Sequence, residues 1–322
     1  MSEKEVLHIL GEKVALGESA KVSFNVAKLH TQNTIDVPVI IERSKKPGPT
    51  VLITAGIHGD EVNGVEIVRQ IIAKGINKPK KGTIICIPVI NVFGFIHMDR
   101  EFPDGRDLNR VFPGGENGSL ASRVAHKLMT EIVPHADLIL DFHTGGADRF
   151  NAAQIRITKD DVVLNELAQV FGAPFIYYAK NLNKSFRHTC YKLGIPMLLF
   201  EGGKSFNISN TITNAGVNGT KRVLHHLGML NGKFKASEPK KNVLKIQESK
   251  WIRAKHSGMF KANLTVNTQV KKGDVLGNIT DPYGNFNHFV KAPNNGYIFN
   301  VNKSPIIYQG DAIFHISTKL EE

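Results

Sequence analysis

Thr54-Ala55-Gly56-Ile57-His58-Gly59-Asp60-Glu61-Val62-Asn63-Gly64 decides how this chain of 322 residues is read. The apolar run Val51-Leu52-Ile53 leads into it, and Val62, Val65, Val68, Ile71 and Ile72 lead out of it at helical spacing. A strand gives way to a helix there. His58 and Glu61 sit on the turn, three positions apart, where an imidazole and a carboxylate can reach one point beyond the strand end. Gly56 and Gly59 let the backbone turn sharply beside that point.

The alternation continues outward. Strand-like runs recur at 51–57, 83–91, 138–143, 175–178 and 196–201, and helix-like runs at 61–73, 120–133, 162–171, 186–192 and about 212–227. This pattern predicts an α/β fold: a mostly parallel mixed sheet with helices on both faces. Residues 1 to about 45 alternate short apolar and polar runs, as in Val22-Ser-Phe24-Asn-Val26, and read as strands at the sheet edge. Lys45-Lys46-Pro47-Gly48-Pro49 is a turn, and residues 231–243 read as a polar linker. Beyond Leu244 no helical period appears, only short strands parted by Gly and Asn. The expected division is one domain over 1–235 and a small all-β, barrel-like domain over 244–322. Lys272-Gly273-Asp274 and Gln309-Gly310-Asp311 each precede a short apolar strand, a weak internal repeat.

Composition narrows the function. The formal charge is 41 − 29 = +12, but the lysines are scattered, with small clusters at Lys78-Pro-Lys-Lys81, Lys240-Lys241 and Lys271-Lys272. Without a long basic run or interleaved aromatics, no nucleic-acid partner is expected; a field that draws small carboxylates fits as well. Cys86 and Cys190 give neither a disulfide framework nor a thiolate metal site. Met1-Ser-Glu-Lys-Glu-Val has no apolar leader core, and no apolar run approaches the roughly 20 residues that span a bilayer. We expect a cytoplasmic protein without a membrane partner. A homo-oligomer stays open.

In open α/β sheets chemistry gathers at the carboxyl ends of the strands. His58 follows one strand, Asn91 ends the next, His143 closes Leu138-Ile-Leu-Asp-Phe142, and Glu201 closes Met197-Leu-Leu-Phe200. A lone His-x-x-Glu is a weak signal. Joined by His143 it becomes a His₂Glu set, which suits a catalytic zinc ion that keeps a position for water. Asp141 lies two residues before His143, on the same strand face, and could orient that ligand. Glu201, beside Gly202 and Gly203, is the candidate general base. His97, His126, His188, His225 and His226 lie off these motifs and read as ordinary surface or core histidines.

Gly56-Ile-His58-Gly59-Asp60-Glu61, Asp107-Leu-Asn109-Arg110-Val-Phe-Pro113-Gly114, Asp141-Phe-His143-Thr-Gly145 and Phe200-Glu201-Gly202-Gly203 stand in order along the chain. Together they resemble the succinylglutamate desuccinylase/aspartoacylase family, which is related to the zinc carboxypeptidases. The resemblance spans about residues 45 to 230. It implies a zinc-carboxypeptidase-like fold and a zinc-dependent hydrolase that cleaves an amide between an acyl group and an amino acid. His58, Glu61 and His143 would hold one Zn²⁺ per chain.

The resemblance also implies an oxyanion partner, an Arg ahead of the Asp-x-Asn-Arg motif. Arg100 is favoured because Arg100-Glu-Phe-Pro103-Asp104-Gly105 is similar to the bacterial members, and Arg106 is its rival. Asn109 and Arg110 would hold the carboxylate of a small anionic amide substrate, since an Arg fork matches a carboxylate. Arg187 is a further candidate for an acyl carboxylate.

Val270-Lys-Lys-Gly273-Asp274-Val-Leu-Gly277 and Val290-Lys-Ala-Pro293-Asn-Asn-Gly296-Tyr-Ile resemble the two halves of a biotinyl/lipoyl-type barrel. The hairpin tip, Asp281-Pro282-Tyr283-Gly284-Asn285, lacks the lysine a carrier needs, so the fold is expected without the attached group. Two other readings stay open: a metallocarboxypeptidase acting on peptides or cell-wall fragments, and a non-catalytic binding or carrier module.

Overall fold

The structure is a computed structural model that describes residues 6–28, 31–238 and 242–321. Residues 1–5, where no leader is expected, and Lys240-Lys241 lie outside the described residues. The chain opens with a small antiparallel pair, β1 (Val6–Ile9) and β2 (Glu12–Ala15). A long antiparallel pair follows, β3 (Ser19–Lys28) and β4 (Thr34–Arg43), with β3 at the sheet edge as the alternating pattern implies.

The βα repeat then runs β5 (Thr50–Ala55), α1 (Val62–Ala73), β6 (Thr83–Ile87), α2 (Val92–His97), α3 (Leu120–Lys127), β7 (Leu138–Gly145), β8 (Arg149–Ile157), α4 (Val162–Phe171), β9 (Phe175–Tyr178), α5 (Phe186–Lys192), β10 (Met197–Lys204) and α6 (Asn210–His226). β6, β5, β7 and β10 pair in parallel, in that order. β4 lies antiparallel on β6, and β8 antiparallel on β10, so the sheet is mixed.

The strict alternation of each central strand sorts its side chains onto two faces. Val51, Ile53, Leu138, Leu140, Phe142, Leu198 and Phe200 pack with α1, α4 and α6 on one face. Leu52, Ile85, Ile87, Ile139 and Met197 pack with α2, α3 and α5 on the other. Each such side chain contributes about 1.5–3 kcal/mol when fully buried, so helices must cover both faces, as the strand–helix alternation implies.

Three elements differ from the sequence reading. The second strand stops at Ile87, four residues short of Asn91. Asn91 instead caps α2, its side chain accepting from the Gly94 amide at 2.8 Å. That helix is hidden in sequence because it has six residues and an internal glycine. β8, Arg-Phe-Asn-Ala-Ala-Gln-Ile-Arg-Ile, has no clear strand signal in the sequence: it carries buried Asn151 and Gln154 where an apolar run would mark a central strand.

After 243 the chain is all-β, as expected: β11 (Leu244–Arg253), β12 (Gly258–Ala262), β13 (Gln269–Val270), β14 (Val275–Thr280), β15 (Asn287–Lys291), β16 (Gly296–Asn302), β17 (Ile306–Ile307) and β18 (Ala312–Leu320). β11 pairs with β9 and β16 with β8, so β8, β9, β11, β18 and β16 close a five-stranded barrel shared by both halves of the chain. Ala152, Phe175, Ile246 and Phe299 pack together inside it. The weak repeat is a repeated turn. Asp274 accepts from the Lys271 amide at 2.7 Å and Asp311 from the Tyr308 amide at 2.8 Å, with Gly273 and Gly310 at positive φ between them.

Gly64 sits on the buried side of α1, where an added Cβ would lie 2.5 Å from the Phe142 carbonyl oxygen. Alanine stabilises most helix interiors by roughly 1 kcal/mol over glycine. Here overpacking against β7 should reverse that sign, and Gly64→Ala is expected to lose about 1–3 kcal/mol, measurable by urea unfolding.

Candidate metal centre and active site

The turn after β5 delivers His58, and the position just before α1 delivers Glu61. Gly56, at φ +65, makes that turn. Gly59 has a different reason: the α2 backbone crosses it so closely that a Cβ would lie 1.9 Å from the Gly94 carbonyl carbon. Glu61 stands at the N-cap of α1 yet makes no capping bond, whereas Ser119, Asp161 and Ser185 cap α3, α4 and α5 in the usual way. Its carboxylate is used elsewhere. Oε1 lies 2.8 Å from His58 Nδ1, and Oε2 lies 2.9 Å from His143 Nδ1 and accepts from the Thr144 amide at 3.0 Å.

All three side chains are buried, and their ligand atoms lie within 4.8 Å of one another. Each imidazole turns its other nitrogen to a carboxylate. His143 Nε2 lies 2.7 Å from Asp141 Oδ2, and Asp141 is itself held by the Thr54 hydroxyl at 2.7 Å. His58 Nε2 lies 3.1 Å from Asp107 Oδ1. Asp107 has no role in the sequence reading, because only folding of the loop brings it to His58. Imidazoles backed by carboxylates around a third, buried carboxylate match the donor set and outer shell that a metal ion would need.

The electrostatics agree. Burial alone would depress the His143 pKa, but Asp141 and Glu61 outweigh it and hold it well above the ordinary value. His58 is raised the same way, by Glu61 and Asp107 against burial. Burial would raise the Glu61 pKa, but the two imidazoles hold it far below the usual carboxylate range. A field that pulls protons onto two imidazoles also favours a divalent cation, so the residues fit a metal ion.

Arg100 reaches this centre: Nη1 donates to Glu61 Oε1 at 3.2 Å and Nη2 to Asp107 Oδ2 at 3.0 Å. The Asn91 amide, which donates to the Arg100 and Glu101 carbonyls, ties down the loop that carries it. Arg106 pairs instead with Asp104 at an exposed position. Asn109 Oδ1 accepts from the Phe186 amide at 2.8 Å, joining this loop to α5. Arg110 is half exposed, 4.0 Å from Asp107, and lines a cavity of about 490 Å³ with Arg106 and Lys184.

Glu201 lies beside His143 in the β10–β7 register. Burial, more than any other influence, raises its pKa; Arg156 opposes this and Glu61 adds to it. Asn151 Nδ2 donates to its Oε2 at 2.8 Å, and Arg156 pairs with its Oε1 at 3.2 Å. Both partners belong to β8, the strand the sequence reading missed. Arg187 donates to the Ala179 and Lys180 carbonyls and lines a second cavity, of about 330 Å³, with Thr158, Asn181 and Tyr191. Burial and then Arg156 push its pKa down to about 10.

Residues 47–227 match the model of the succinylglutamate desuccinylase/aspartoacylase catalytic domain. The chain belongs to this family of deacylases. It is 27% identical, over 76% of its length and 74% of the relative's, to the N-alpha-acetyl-L-2,4-diaminobutyric acid deacetylase of Halomonas elongata. Its fold matches a succinylglutamate desuccinylase/aspartoacylase from Rhodobacter sphaeroides with TM-score 0.80 and 23% identity, over 94% and 96% of the two chains. It also matches the product-bound ectoine utilization protein EutE of Ruegeria pomeroyi with TM-score 0.83 and 20% identity, over 99% and 100%. Among the described residues no helix is long and apolar enough to cross a membrane.

Asp141 should act on the metal through His143. Asp141→Asn is expected to weaken metal affinity by about 10–100-fold, read by titration against a competing chelator.

Proposed function

We propose that this deacylase is zinc-dependent and hydrolyses the amide of an N-acyl amino acid. The observation that carries the reading is the pairing of a partly buried carboxylate of raised pKa, Glu201, with the His58–Glu61–His143 cluster on neighbouring strands. Two imidazoles and a carboxylate suit one zinc ion per chain. When bound, that ion supplies Lewis acidity, making water a nucleophile near neutral pH and polarising the scissile carbonyl.

Glu201 takes a proton from the attacking water as the carbon–oxygen bond forms. It returns that proton to the leaving nitrogen as the carbon–nitrogen bond breaks, a shuttle that suits a carboxylate of raised pKa. Arg100 stabilises the negative charge that develops on the carbonyl oxygen. Its contact with Glu61 supports it over Arg106, which is paired with Asp104. Asn109 and Arg110 take the substrate carboxylate. The half-exposed Arg110 fork supports that role, and so does the Asn109 amide nitrogen, which has no protein partner among the described residues while its oxygen holds Phe186.

The relative from Halomonas elongata points to small N-acetylated amino acids as the substrate class. The net charge of +12 suits an anionic one. Two buried free thiols suit a cytoplasmic location. We keep the division into 1–235, a hydrolase domain, and 244–322. The second part is read as biotinyl/lipoyl-like without an attached group, since its tip, held by Asp281 accepting from the Asn285 amide, carries no lysine.

Glu201→Gln should retain about one equivalent of zinc by metal analysis and lose roughly 10²–10⁴-fold in turnover; near-wild-type turnover overturns the mechanism. A panel of N-acyl amino acids set against dipeptides separates a deacylase from a carboxypeptidase. Turnover confined to the acyl compounds is expected.

A further inference from the structure

We propose that Asn151 and Asn300 form a relay that positions the Glu201 carboxylate, so that the C-terminal strands take part in setting the geometry of the reaction centre. The proposal rests on Glu201 being the base.

Asn300 lies on β16 directly opposite Asn151 on β8, and its Nδ2 donates to Asn151 Oδ1 at 2.6 Å. Asn151 Nδ2 in turn donates to Glu201 Oε2 at 2.8 Å. The two amides are 3% and 2% exposed, so solvent does not compete for these bonds. The direction of the relay is forced by chemistry. An ionised carboxylate only accepts, so Asn151 must turn its NH₂ toward Glu201. Its oxygen then faces β16, and Asn300 must donate.

This arrangement leaves the buried Asn300 Oδ1 without a partner among the described residues. Two facing apolar side chains would join these strands without that cost. The amides gain something a purely structural pair does not need, a donor of fixed direction at one oxygen of Glu201.

The other oxygen is held from the same barrel. Arg156 pairs with Oε1 and lies over the Tyr177 ring, 5.8 Å from its centroid. The Tyr177 hydroxyl accepts from Ser249 on β11 at 3.0 Å. Glu201 is thus held at both oxygens by β8; β16 steadies Asn151 directly, and Arg156 rests on Tyr177 of β9, which β11 holds. A proton shuttle is sensitive to such placement, because a misplacement of about 1 Å can cost roughly 100-fold in rate.

The test is kcat and KM for Asn151→Ala, Asn300→Ala, Asn300→Asp and the double variant Asn151→Ala/Asn300→Asp, on the N-acetyl amino acid that the wild-type enzyme turns over fastest. Zinc content and thermal melts are followed alongside. Asn151→Ala should lower kcat about ten-fold with KM within about two-fold. Asn300→Asp is nearly isosteric but accepts only, so it should capture the Asn151 NH₂ and turn the Asn151 oxygen against Glu201. Its kcat loss should exceed that of Asn300→Ala. In the Asn151→Ala background, Asn300→Asp should add less than about two-fold, because the relay is already cut.

A structural role for Asn300 would cost the same in both backgrounds, and losses that multiply in full overturn the relay. So does wild-type kcat in both Asn300 variants. If Glu201→Gln is inactive while the Asn300 variants turn over normally, only the relay falls. If Glu201→Gln stays active, the base assignment falls with it.

Discussion

A carboxylate cannot be left buried and unpaired, and Glu61 is both buried and ionised. Its two oxygens take both imidazoles, the Thr144 amide and Arg100. These groups come from three parts of the chain: the turn after β5, the end of β7, and the loop after α2. The demand for partners at one side chain therefore draws strand ends and loop to a single place. The same demand explains why α1 begins without a side-chain cap. That cap is typically worth about 1 kcal/mol, and the helix forgoes it because the residue at the capping position serves the cluster.

Around Glu61 the charges are layered. The imidazoles stand between the central carboxylate and two outer ones, Asp141 and Asp107, and Thr54 and Arg100 hold those in turn. Asp60, next to Glu61, accepts from the Ser205 hydroxyl at 2.6 Å and so fastens the end of β10 to the same loop. A cluster tied at this many points holds its donor atoms converging, which is what preorganisation requires.

The sequence revealed those parts of the site where chemistry restricts residue type. His58, His143 and Glu201 could be read because each stands at or just beyond the carboxyl end of a strand, where few other roles put His or Glu, and Glu61 because it follows His58 by three positions on the turn. Arg100 could be read through the loop pattern that follows it. Asp107 could not be assigned a role, because its contact with His58 spans 49 positions and depends on how the loop folds back. Asn151 and Arg156 were out of reach for another reason. β8 places polar side chains in the interior, so the apolar pattern that marks a central strand is broken by the residues the site uses. The barrel was hidden in the same way, since two of its five strands precede the linker and three follow it.

The shared barrel makes its closure a long-range event. Asn300 and Asn151 are 149 positions apart, and between them the strand order β8–β9–β11–β18–β16 closes only when β16 and β18 arrive. A nascent chain that has reached β10 already contains every residue of the His58–Glu61–His143 cluster, but one flank of β8 is still an open edge. Open edges invite pairing with other chains, and long-range pairings form slowly. β11, β18 and β16 therefore act as a seal, drawn late over the strand that holds the Glu201 carboxylate.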